Sequence, residues 1–297
     1  MPELCLLEVH AHPDDEASKG AGTAARYAAE GIRTVLVTCT DGAAGDILNP
    51  AADQPEVRAD LRAVRMAELT ESVRALGYSA LHLLGYRDSG MAGTEANTHP
   101  ESFAAAPLEE AVGRLVAIVR AERPQVVVTY GDDHRGYPHP DHIRVHDISI
   151  GAFEAAGDPD RFPEAGPPWQ PLKLYYTGWS RARLEALHGA FLARGEESPY
   201  AGWLSRWDPD QEGPPMTTRI DVGDYLTARR AALLAHRTQI DPDGFWMRLP
   251  EDVERSIFPW EEYRLARSLV EADVPPGSFE DDLFAGVRER AGCDRSG

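Results

Sequence analysis

The sequence predicts an α/β protein: a Rossmann-like, mostly parallel sheet with helices on both faces and a C-terminal extension. Two observations carry this. Short apolar or β-branched runs alternate with longer amphipathic stretches through the first half of the chain, as repeated β-α units require. The texture then changes after Gly157, where the Pro- and Gly-rich stretch from Asp158 to Pro171 interrupts the alternation.

In chain order, Leu4 to Val9 reads as a buried strand, Lys19 to Glu30 as a helix ending at Gly31, and Thr34 to Thr38 as a second strand. Residues 57–76 carry Val57, Leu61, Val64, Leu69, Val73 and Leu76 near helical spacing, with Gly77 as the stop. Leu81 to Leu84 gives a third strand, and Pro107 to Glu122 a helix closed by Arg123-Pro124. Val126 to Tyr130 is a β-branched run suited to a central parallel strand, and Pro140 to Ala156 is the next helix. Lys173 to Thr177 returns as a strand, and Arg181 to Arg194 and Tyr225 to Thr238 read as helices. The segment Trp203 to Pro215 reads as irregular wall material, and the chain from about Asp273 as loosely held. Residues 1–157 are therefore expected to form the catalytic core, and 158–297 to complete the sheet edge and the substrate pocket.

Composition narrows the function. Forty-two per cent of the 297 residues are hydrophobic, in short blocks, which supplies a sizeable core. Thirty Lys and Arg face 49 Asp and Glu, a formal charge of −19, which repels nucleic acid and anionic membranes where no basic patch compensates. A small, neutral or weakly charged molecule is the expected partner. Met1-Pro2-Glu3-Leu4 shows no basic segment leading into an apolar run, and no stretch of about 18 apolar residues occurs. Cys5, Cys39 and Cys293 are odd in number and far apart, which suits the cytosol and offers no disulfide framework.

Two clusters carry chemistry. His10-Ala11-His12-Pro13-Asp14-Asp15-Glu16 follows the first predicted strand, at the end where α/β folds place functional loops. A His and a carboxylate three residues apart in a turn can share one cation, and if Asp15 is a ligand, Asp14 can stand over its water. Gly136-Tyr137-Pro138-His139-Pro140-Asp141-His142 follows the Val126 to Tyr130 strand in the same way. Either cluster alone is also an ordinary turn or helix cap; together, above one sheet, they offer two His and one Asp with coordination positions left open. That donor set suits Zn²⁺, and Fe²⁺ also accepts it. His10, out of phase with His12, reads as packing, and Glu16 as a cap or supporting partner. No Gly-rich phosphate loop follows the first strand, which argues against nucleotide binding.

These clusters resemble the signature of the LmbE-like, or N-acetylglucosaminyl-phosphatidylinositol deacetylase, family of zinc hydrolases. The resemblance implies that His12, Asp15 and His142 bind Zn²⁺, that Asp14 is the general base, and that His139 stabilises the transition state or protonates the leaving group, with Tyr137 polarising the carbonyl. Ser18-Lys19-Gly20, Ile47-Leu48-Asn49-Pro50, Trp207-Asp208-Pro209-Asp210 and Thr238-Gln239-Ile240-Asp241-Pro242 are similar to the branch that cleaves the amide of mycothiol S-conjugates, a thiol-sugar class. Tyr86-Arg87-Asp88-Ser89-Gly90-Met91 is closer to the deacetylase branch, and Asp41-Gly42-Ala43-Ala44-Gly45-Asp46 departs from the more acidic loop of the amidases. By the same resemblance Lys19, Arg65 and Asp88 contact substrate, the last two through its glucosaminyl-inositol part. Without it, Arg65 could equally pair with Glu68 or Glu71 on its own helix.

Overall fold

A computed structural model describes residues 3–132, 137–207 and 215–291. Its first strand, β1 (Cys5–His10), is buried along its whole length. Side chains of a strand alternate between faces: Cys5, Leu7 and Val9 enter one apolar cluster, and Leu6 enters another behind the sheet. That two-sided burial is why the run reads as a buried strand, although the buried Glu8 interrupts its apolar residues. Parallel neighbours flank it, β2 (Arg33–Thr40) on one side and β4 (Val126–Tyr130) on the other. With β3 (Ala80–Tyr86) and β5 (Lys173–Gly178) these make five parallel strands. The order β3-β2-β1-β4-β5 reverses direction between β1 and β4, opening the crevice at the carboxyl ends where such sheets bind ligands. The expected Rossmann-like class is therefore the observed one.

Helices cover both faces. Leu108–Glu122 and Pro140–Ala155 pack together on one, as Ala21–Ala29, Leu61–Leu76 and Leu226–Ala235 do on the other. Gly77, in the left-handed region at φ 76°, closes Leu61–Leu76 as its position predicts: its N–H bonds Arg74 O and the Tyr78 N–H bonds Val73 O. Pro140 and Arg181 begin helices as expected, whereas two other predicted starts shift. The helix expected over Lys19 to Glu30 begins at Ala21 and ends at Ala29, and a separate short helix, Asp15–Ser18, precedes it; Gly20 at φ 100° parts the two. The stretch 57–76 is likewise divided at Asp60, whose carboxylate caps the second piece through the Ala63 N–H at 3.1 Å.

Beyond residue 157 the same sheet continues. The predicted loop leads into β5, and two unpredicted strands follow, β6 (Thr218–Asp221) and β7 (Trp260–Ser268), with β7 antiparallel to both β5 and β6. A short helix, Glu251–Ile257, also went unread. Within the segment expected to be irregular, Ala201–Ser205 is helical, while 208–214 lie outside the described residues. The C-terminal stretch is not loose up to residue 290: Leu283, Phe284 and Val287 are buried against Tyr27 and Tyr175, and Asp282 accepts the Tyr27 hydroxyl at 2.8 Å. Cys293 lies outside the described residues; Cys5 and Cys39 are free and buried. Among the described residues no helix is long and apolar enough to cross a membrane.

Candidate metal centre

The loop after β1 and the loop after β4 meet above the crevice. His12, Asp15 and His142 are all buried, and their donor atoms lie within 4.8 Å of one another. His12 Nδ1 and His142 Nε2 each stand 3.4 Å from Asp15 Oδ2. A tetrahedral ion with bonds of about 2.1 Å has donor-to-donor edges of about 3.4 Å. Two edges of the triangle that the sequence singles out therefore match those of a tetrahedral ion, and three protein donors leave a fourth position for water or substrate.

Each donor is oriented by a neighbour. His12 Nε2 faces Asp141 Oδ2 at 3.2 Å, which places the ring proton there and leaves Nδ1 toward Asp15 and His142. Asp15 Oδ2 accepts the Tyr130 hydroxyl at 2.7 Å and the His12 N–H at 2.9 Å, while Oδ1 accepts Lys19 Nζ at 2.5 Å. The His142 ring stacks on Tyr130, centroids 4.4 Å apart. Against desolvation, Lys19 and His142 hold the Asp15 carboxyl well below the usual range. Burial pushes His142 down to about 4, so its imidazole is neutral, as a ligand must be.

A second group, His12 with Asp88, His139 and Asp141, is equally close-set. Its carboxylates are already engaged by the chain. Asp141 accepts the Ser89 N–H at 3.0 Å and the Ser89 hydroxyl; Asp88 accepts the Gly90 N–H at 2.8 Å and the Ala44 N–H at 3.1 Å. With Asp88 Oδ1 also 3.5 Å from His12 Nε2, this group forms a bracket behind His12.

Asp14 is held in an unusual backbone state, φ 117°, which a side chain rarely adopts. Its N–H donates to Glu16 Oε2 at 2.9 Å, and Glu16 is anchored by Ser72 and by His236 Nε2 at 2.5 Å. Burial and the adjacent Asp15 raise the Asp14 carboxyl's pKa, against Arg65. Arg65 is itself buried: its Nη atoms bond Asp14 Oδ2 at 3.0 Å, Gly42 O at 2.6 Å and Pro13 O, and only its Nε has no partner. His139 Nδ1 accepts the Asp141 N–H at 3.2 Å, so the neutral ring carries its proton on Nε2. Its pKa is lowered by burial and by His12. Tyr137 is exposed, its ring 5.1 Å from that of His142; Gly136, which opens the second cluster, lies outside the described residues.

All nine residues expected at the site, His12, Asp14, Asp15, Lys19, Arg65, Asp88, Tyr137, His139 and His142, thus gather around the β1/β4 crevice. Sequence reasoning passed over three others. Tyr130 was read only as the end of a strand, Asp141 only as part of a motif, and His236 not at all; the burial of polar side chains is the signal that distinguishes them, and it needs coordinates. The Ile47–Pro50 and Thr238–Pro242 segments also meet, Leu48 N–H donating to Thr238 O at 2.8 Å, whereas Asp208, Pro209 and Asp210 lie outside the described residues.

Residues 7–153 match the family described as GlcNAc-PI de-N-acetylase. The chain is 46% identical over 296 residues to a mycothiol S-conjugate amidase of Streptomyces coelicolor, covering 97% of this chain and 99% of the relative. It is 42% identical over 294 residues to a 1D-myo-inositol 2-acetamido-2-deoxy-alpha-D-glucopyranoside deacetylase of Geodermatophilus obscurus, covering 96% and 99%. Among solved structures, N,N'-diacetylchitobiose deacetylase of Pyrococcus horikoshii aligns with a TM-score of 0.62 at 19% identity, covering 92% of this chain and 87% of that one, a likeness of fold.

Proposed function

Because the chain belongs to the GlcNAc-PI de-N-acetylase family, whose relatives here are amidases and deacetylases, we propose that this enzyme hydrolyses the amide of mycothiol S-conjugates, releasing glucosaminyl-inositol and an N-acetylcysteine S-conjugate. The buried His12, Asp15 and His142 group can hold one metal ion; we assign it Zn²⁺, which two imidazoles and one carboxylate suit. Bound there, Zn²⁺ supplies Lewis acidity, polarising the substrate carbonyl and making water acidic near neutral pH. The free, buried Cys5 and Cys39 suit a reducing, cytosolic setting.

The chain's own groups then divide the proton work. Asp14, at the rim beside Asp15, takes a proton from the attacking water and delivers it to the departing glucosamine nitrogen. Its backbone strain is held by Glu16, which fixes the direction of the carboxylate before substrate arrives. His139, neutral with its proton on Nε2, donates to the oxyanion of the tetrahedral intermediate, and Tyr137 stands ready to do the same. Asp88 is assigned to hydroxyls of the glucosaminyl-inositol part, with Arg65 steadying Asp14 from behind.

The observation that carries the choice of amide is Lys19. Its Nζ, bonded to Asp15 Oδ1 at 2.5 Å, lines a small cleft on the side of the crevice away from Asp88, and we assign the acyl arm of the conjugate to that side. The deacetylase reading keeps one specific support, the Tyr86 to Met91 run that carries Asp88. Comparing kcat/KM of the zinc-loaded protein on a mycothiol S-conjugate and on N-acetylglucosaminyl-inositol tests the choice. Preference for the conjugate is expected, and preference for the N-acetyl sugar overturns it.

A further inference from the structure

The small, open cleft beside Lys19 is lined by Lys19, Thr177, Trp179, Arg183, Glu261 and Glu262 among others. Arg183 is its anomaly. The residue is only 6% exposed, yet among the described residues its guanidinium has no hydrogen bond and no carboxylate oxygen within 4.0 Å. What it faces is aromatic: the Trp179 ring centroid at 4.1 Å and that of Phe258 at 6.0 Å.

The nearby carboxylates are committed elsewhere. Glu261 accepts the Gly22 N–H at 3.0 Å, the Thr23 N–H at 2.8 Å and the Thr23 hydroxyl at 2.7 Å. Glu262 pairs with Arg219 at 3.0 Å and accepts the Ser180 N–H at 3.0 Å, and Glu254 pairs with Arg229 at 2.5 Å. Arg183 also sits in the first turn of the helix Arg181–Ala193, so its charge adds to the positive end of that element. Burial and Arg229 lower its pKa, while Glu261, Glu254 and Glu262 act the other way from a distance. A guanidinium that lines a cleft without a carboxylate partner is free to take one, and its planar fork matches a carboxylate.

The location gives this meaning. Asp88 and Ala44 stand in the loops after β3 and β2, whereas Thr177, Trp179, Glu261 and Glu262 come from β5, its following loop and β7, on the other side of the crevice. The metal centre lies between the two walls, so a substrate with its sugar at Asp88 sends its acyl arm toward Arg183.

We propose that this cleft is an acyl-side carboxylate subsite, with Arg183 gripping the anion and Trp179 forming the flat wall beside it. The proposal rests on the amidase reading for its substrate and implies that conjugates whose thiol-linked group carries a carboxylate are preferred over neutral ones.

The test uses two probes of the same shape, the N-methylamides of N-acetyl-S-carboxymethylcysteine and N-acetyl-S-carbamoylmethylcysteine, titrated calorimetrically into the zinc-loaded full chain. The carboxymethyl probe is expected to bind at least about tenfold tighter, the scale of a charge-assisted bidentate contact. Arg183→Gln, checked for folding by its melting curve, should bring the two within about twofold, while Arg183→Lys should keep part of the difference. Equal binding of both probes to the wild type, a measurement that needs no variant, overturns the proposal, as does discrimination that survives in Arg183→Gln. Because binding is read without turnover, the two readings fail separately. Discrimination without conjugate cleavage removes the amidase and keeps the carboxylate subsite; cleavage without discrimination does the reverse.

Discussion

Asp15 is the residue on which most contacts converge: His12 Nδ1, His142 Nε2, Tyr130 and Lys19 all reach its two oxygens. Replacing it or His142 by Ala is expected to remove metal and activity together, read by metal analysis alongside amine release. Asp14→Ala should keep the metal and lose about 10²- to 10⁴-fold in turnover, the usual contribution of a positioned base. Asp141 acts one step back, by presenting His12. Asp141→Asn is expected to weaken metal affinity by about 10- to 100-fold, measured by competition with a chelator, and an unchanged affinity would leave Asp141 no part in holding His12.

At the scale of elements, the break between Asp15–Ser18 and Ala21–Ala29 lets a strand-end loop present Asp14, Asp15 and Lys19 from a single turn of chain. Gly20 makes the break possible at φ 100°, and a Cβ there would stand 3.1 Å from Glu8 Oε1. Gly20→Ala should therefore lower stability by about 1–2 kcal/mol, seen as a reduced melting temperature. How legible an element is in sequence follows from where its polar groups find partners. β4, Val126 to Tyr130, has both faces in apolar clusters and reads plainly as a strand. β7 carries Glu261 and Glu262 inward, satisfied by Thr23, Gly22, Arg219 and Ser180, and no pattern within nine residues announces partners 43 to 239 positions away. The candidate metal donors were legible because they crowd into two short motifs; Tyr130 and His236 were not, since Asp15 and Glu16 reach them only through the fold.

At the scale of the whole molecule, the C-terminal stretch locks the sheet from behind. Phe284 is buried, edge-on to Tyr27 at 5.3 Å, and Phe284→Ala should cost about 3–5 kcal/mol in denaturant unfolding. A buried ion pair, Arg229 with Glu254 at 2.5 Å, ties the helix Leu226–Ala235 to Glu251–Ile257. Against desolvation, Arg229 lowers the Glu254 pKa. The pair therefore stabilises the fold above the carboxyl's unfolded pKa, and that contribution is lost as pH falls through the lowered value. Melting temperature should drop on acidification with this component, and Glu254→Gln should flatten it. The helix Glu251–Ile257 packs in turn on Arg181–Ala193, which carries Arg183.

The central claim is that two distant loops grip one cation between His12, Asp15 and His142. Anomalous diffraction at the zinc edge from zinc-loaded crystals tests it most directly. The account predicts a single strong peak within about 2.0–2.2 Å of His12 Nδ1, Asp15 Oδ2 and His142 Nε2. A peak bonded instead to Asp88 or Asp141, or none between these three residues, would contradict it.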